Sequence, residues 1–170
     1  VRLLNVGAPV DVDAYIDRKT NKNIYKQYLD FGYINEKHIF DLISKSTDCA
    51  LELIKVCDEK NIDIRSLSES GITPVYKAVR ELNVVLTKRL FDQKNAYSSG
   101  NIIKLAIENI VEDKKNATDI YKFLIKKTTK NKILELEKNM DKTFLMITVS
   151  KNLTEATHLL LDRMGDQNVP

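Results

Sequence analysis

The side chains best suited to chemistry in this chain are two histidines, two cysteines and a run of lysines, and their spacing limits what they can do. His38 and His158 fall in different parts of the sequence. Neither has a cysteine or a second histidine at ligand spacing, as a zinc site requires. His38 reads as opening a helix and His158 as lying within one beside Leu159, so capping or surface roles suffice for both. Cys49 and Cys57 stand on what the apolar pattern reads as one helix. Eight helical residues span about 12 Å, beyond disulfide reach, so the pair fits two small apolar residues in a reducing compartment. The five glycines are scattered singly and build no phosphate-cradling loop. No G-x-S-x-G element or Cys-His signature occurs. The acidic pairs Asp58-Glu59 and Glu112-Asp113 sit in expected turns, where their charge is solvated. The reading is no catalytic residue, no cofactor and no metal.

The lysines need separate weighing. Lys122, Lys126, Lys127, Lys130 and Lys132 cluster near an expected helix end, where positive charge complements the helix dipole. As a nucleic-acid footprint the cluster is thin. It contains no arginine, its only aromatic neighbours are Tyr121 and Phe123, and the net charge is +3. An acidic protein surface suits it better. No apolar run is long enough to cross a bilayer, and no signal peptide is visible.

The elements that must position these residues are helices. With 170 residues the chain can bury a real core. Period-two alternation flanked by turn signals is absent. The most informative stretch is 71–91, a tight turn, a short helix opened by Thr73-Pro74, a break near Leu82-Asn83 and a second short helix. Thr73 suits a helix cap, and Pro74 then takes the first helical position, where no N–H is needed.

This stretch resembles the core of an ankyrin repeat, whose pattern runs G-x-T-P-L-H-x-A-A, a turn, then an apolar helix ending Leu-Leu. The pattern recurs at Thr143–Val149 with Leu160-Leu161, and Thr73 and Thr143 are 70 positions apart, about two periods of 33. A copy between them uses Ile102, Ile103, Leu105, Ala106 and Ile107, then Ile120, Phe123, Leu124 and Ile125. A charged, loop-like stretch at 112–118 separates its halves. Val1–Ala8 resembles the closing phrase V-x-L-L-x-x-G-A, so the chain reads as starting inside a repeat, as a fragment or processed product would. Residues 34–65 form a weaker helix pair, with a turn at 44–48 between apolar stripes, and 12–33 reads as an insertion. Where the family has an inner-helix His this chain has Tyr76 and Met146, and where it has a Gly between helices it has Leu82 and Asn152.

The resemblance implies an all-α ankyrin-repeat solenoid of four to five helix-pair units with irregular insertions. It would be a single domain over 1–170, with units at 1–11 (partial), 34–65, 68–97, 98–133 and 139–165. It further implies a non-enzymatic module that binds another protein through its concave face. Two alternatives stay open: a targeting arm of a larger effector or enzyme, and a nucleic-acid binder using Lys122–Lys132. The Lys-, Asn- and Ile-rich wording is similar to divergent arrays of large DNA viruses and intracellular bacteria, and implies a cytoplasmic or host-cytoplasmic setting. Partner contacts would fall on turn residues Glu69, Ser70, Ile72, Tyr97, Ser98, Met140 and Lys142. On inner-helix ends they would fall on Arg80, Glu81, Glu108, Asn109 and Lys151. Ile72, Tyr97 and Met140 either anchor a partner or pack between adjacent turns. The expected core is Val75, Ala78, Val79, Val84, Leu86, Leu90 and Phe91 with their counterparts Leu105, Ala106, Leu124, Ile125, Leu145, Val149, Leu160 and Leu161. Small residues at Ala78, Ala106 and Thr148 would let helices approach closely.

Overall fold

The computed structural model describes residues 38–67, 69–92, 95–97, 101–110 and 114–165. The expected partial unit 1–11, the insertion 12–33 and Ser98 lie outside them. Among the described residues all regular structure is helical, with nine α-helices, one 3-10 turn and no strand. The chain divides into two compact units at Ile64–Arg65.

In the first unit, α1 (Ile39–Lys45) packs against α2 (Thr47–Glu59). The break between them is sharper than the turn expected over 44–48. Ser46 alone is extended, and its hydroxyl accepts from the Cys49 amide at 3.4 Å to cap α2. Both stripes are buried as the periodicity requires, Ile39, Phe40, Leu42 and Ile43 against Ala50, Leu53, Ile54, Val56 and Cys57. Both cysteines lie on α2 as free thiols. Asn61 closes that helix at φ 59°, and the Ile62 amide reaches back to the Cys57 carbonyl at 2.8 Å.

The 3-10 turn Ile64–Ser66 spans the division. Beyond it Glu69 and Ile72 exchange two backbone hydrogen bonds, of 3.0 and 2.9 Å, around Ser70 (φ 51°) and Gly71 (φ 77°). Two successive positive φ values make the mirror-image turn that favours Gly in its second place. Seven helices follow: α3 (Pro74–Arg80), α4 (Val84–Leu90), α5 (Ile102–Asn109), α6 (Lys114–Lys127), α7 (Lys130–Glu137), α8 (Phe144–Ser150) and α9 (Thr154–Gly165). They form the pairs α3/α4, α5/α6 and α8/α9. The first members pack in series, α3 on α5 and α5 on α8, and the second members do likewise, α4 on α6 and α6 on α9. The second unit is therefore a two-layered stack of helix pairs, with α7 between the second and third pairs in sequence.

Local chemistry explains the short helices. Thr73 and Thr143 accept from the amides of Tyr76 and Met146 at 3.4 and 3.2 Å. Asn83, Asn101 and Thr129 cap α4, α5 and α7 in the same way. The first and third pairs turn identically. Leu82 and Asn152 both adopt φ 54°, and the following amides, Asn83 and Leu153, return to the carbonyls of Ala78 and Thr148 at 3.0 and 2.9 Å. Both left-handed turns are made without glycine.

Several expectations need correction. Helix α6 starts at Lys114, so residues 114–118 are helical instead of loop, and α7 runs over Lys130–Glu137 as a helix outside the three pairs. Val75, Ala78, Val79, Leu86, Leu90, Ala106, Leu124, Ile125 and Leu160 are buried, whereas Val84, Phe91, Leu105 and Leu145 are only half-buried. Val149 and Leu161 are exposed, and the third pair is instead filled by Phe144, Ile147, Thr148 and Ala156. The spacing that places Val79 in the core places Val149 on a face that no described element covers.

Candidate protein-binding surface

Between α5 and α8 lies a groove of about 400 Å³. Lys104 and Glu108 line it from α5, residues 139–142 from the loop before α8, and Ile147, Ser150 and Lys151 from α8. Four expected contact residues, Glu108, Met140, Lys142 and Lys151, thus converge on one concavity.

The loop is held by its own short-range bonds. The Glu137 carboxylate accepts from the Phe144 amide at 2.6 Å, taking one of the orphan donors that begin α8. The Met140 amide returns to the Glu137 carbonyl at 3.0 Å, and its sulfur accepts from the Asn101 amide group at 3.2 Å. Met140 is half-buried, so it serves both as part of the groove and as a loop fastener. Lys104 and Glu108 sit 3.9 Å apart on one helix face, an exposed pair of small energetic weight. Lys142 and Lys151 are exposed. Sequence reasoning missed Lys104, whose spacing from Glu108 is the i,i+4 signal of a shared face. Asp141 and Ile147 were missed too.

The remaining expected contacts divide. Glu69, Ser70, Arg80 and Glu81 are exposed, and Ile72 is half-buried in the tight turn. The Arg80 and Glu81 side chains lie 3.9 Å apart. Tyr97 is used internally. Its ring meets Phe91 edge-on at 6.3 Å, and the Lys132 ammonium stands 5.5 Å from its centroid. Its hydroxyl bonds to Thr128, which itself donates to the Leu124 carbonyl at 2.6 Å, so Tyr97 is the donor. Burial pushes the Tyr97 phenol above its ordinary value. Asn109 is also engaged, donating to the Val79 carbonyl at 3.2 Å and tying α5 to the end of α3.

Two of the five clustered lysines hold carboxylates. Lys122 pairs with Glu155 of α9 at 2.6 Å, and that bond holds its ammonium above the ordinary value. Lys132 pairs with Glu135 at 2.8 Å as well as covering Tyr97. Lys126 and Lys130 are exposed. Among the described residues no three His, Cys, Asp or Glu side chains gather where they could hold a metal ion. No described helix is long and apolar enough to cross a membrane. Compared with known proteins, the chain matches no family model, no curated protein and no solved structure.

Proposed function

We propose that the second unit is an ankyrin-type stack that binds another protein, without catalysis, through the concavity lined by α5, α8 and the loop before α8. The convergence of Glu108, Met140, Lys142 and Lys151 on one groove carries this reading. Support for the repeat assignment comes from equivalent details 70 residues apart: the Thr73 and Thr143 caps, and the left-handed Leu82 and Asn152. Small units that bury little alone become stable by stacking, and leave one layer of helix ends and turns for recognition. Charged side chains over an apolar floor of Met140 and Ile147 give such a groove both steering and contact area. The basic segment supports nucleic-acid binding less well, because Lys122 and Lys132 already hold carboxylates.

The test is affinity capture with the chain beside a Lys142→Glu, Lys151→Glu double variant. Both substitutions are at exposed sites, so circular dichroism should be unchanged. A protein retained by the first and released by the second is the expected result. Equal capture by both would remove this groove as the binding site.

A further inference from the structure

Charge is unevenly shared in the groove between α5 and α8. Its lining runs from Asn139, before α8, to Lys151, after it, so the groove follows α8 from end to end. Three ammoniums, on Lys104, Lys142 and Lys151, line it against two carboxylates, on Glu108 and Asp141. Lys104 and Glu108 lie 3.9 Å apart and offset each other. Lys142, Lys151 and Asp141 are exposed, and among the described residues none of the three forms an ion pair. Two free ammoniums, one at each end of α8, thus outnumber one free carboxylate.

The rest of the lining suits an extended chain. Ile147, midway along α8, and half-buried Met140 give the groove an apolar floor. Asn139 at one end both donates and accepts hydrogen bonds. At the other end the Ser150 hydroxyl donates to the Ile147 carbonyl at 2.9 Å, which leaves its oxygen to accept from an incoming N–H. Packed helices stand about 8–10 Å apart, a furrow narrower than the roughly 10–12 Å that a further helix with its side chains needs. From Thr143 to Lys151 the chain rises about 12 Å along the α8 axis. Four residues of an extended strand cover about 13 Å, with positions i, i+2 and i+4 on one face.

We infer that this groove takes an extended acidic segment of the partner protein, an inference that rests on the binding reading above. Two carboxylates four residues apart meet Lys142 and Lys151, and an apolar side chain midway between them meets Ile147. A neutral segment leaves both ammoniums unmatched, and a basic one sets like charges together.

Amide NMR titration of the chain tests this with the end-blocked peptide Gly-Ser-Glu-Ser-Leu-Ser-Glu-Ser-Gly. Two further peptides carry Gln or Lys in place of both Glu residues. The Glu peptide should bind about three- to tenfold more tightly than the Gln peptide, as two exposed ion pairs allow. Its shifts should concentrate in α5, α8 and the loop before α8. The Lys142→Glu, Lys151→Glu protein should reverse the order and prefer the Lys peptide. Equal binding of the Glu and Gln peptides, shifts centred elsewhere, or no binding of any peptide would each overturn the acidic segment. Affinity capture decides separately whether the groove binds protein at all. A captured partner that the double variant releases, but that excess Glu peptide does not displace, would keep the groove and overturn this occupant.

Discussion

Two phenols show how single side chains join the pairs of the second unit. Tyr121 is fully buried, and its hydroxyl donates to the Ala156 carbonyl of α9 at 3.0 Å. Tyr121→Phe keeps the ring and removes one hydrogen bond, a loss of about 1 kcal/mol, readable as a lower urea midpoint with an unchanged slope. A pH signature goes with it. Burial raises the phenol pKa of both Tyr121 and Tyr97 above 10.0. The folded state therefore holds these protons where the unfolded state has released them. Their contribution is fully present below the unfolded value and declines as pH rises through and beyond it. Between about pH 8 and about pH 11 the Tyr121→Phe protein should lose less stability than the parent; an equal loss would remove Tyr121 from the alkaline transition. The sequence made Tyr97 legible as a turn residue, but its Thr128 partner is 31 positions away. Asn109 and Val79 are 30 apart. Which candidate contact residues stay free for a partner is decided by such long-range bonds, which no local pattern encodes.

Among the elements, the turn joining α3 to α4 isolates the backbone problem best. Leu82 holds φ 54°, a region costing a side-chain-bearing residue about 1–2 kcal/mol. Leu82→Ala and Leu82→Gly both remove the half-buried side chain, so comparing them cancels that loss. Glycine should be the more stable by about 1 kcal/mol, against its usual disadvantage, and an alanine variant as stable as the glycine one would deny the left-handed turn. Ala78, fully buried on α3, tests the packing instead. Ala78→Leu should overpack the pair and cost about 1–3 kcal/mol; an unchanged denaturation midpoint would show spare room. The starts of α3 and α8 were readable, since Thr73 and Thr143 mark them in composition. Helix α7 was not readable, because only Ile133 of its residues is buried and so short a helix shows almost no periodic stripe. The start of α6 was hidden for a related reason. Its first turn is Lys-Lys-Asn, polar residues that resemble a loop until Ala117 and Ile120 turn inward.

For the whole molecule, the order of packing in the second unit predicts how disturbance spreads. The main packing runs from each pair to the next, so stability should be close to a sum of pair terms and neighbour terms. The link from α9 to α6 is dense, with the Tyr121 hydrogen bond and the Lys122–Glu155 pair joining the two helices and Arg163 donating to the Thr128 carbonyl just past α6. Leu160, 2% exposed, anchors α9. Leu160→Ala should remove about 2–5 kcal/mol from the third pair, through lost transfer energy and the cavity left behind. Amide hydrogen exchange then distinguishes a stack from a single cooperative core. In a stack, exchange accelerates most in α8 and α9, next in α6, and least in α3 and α4, because destabilisation decays with distance along the series. Equal acceleration in α3 and α9 would mean that the second unit opens all at once, and nearest-neighbour stacking would then be the wrong account of its stability.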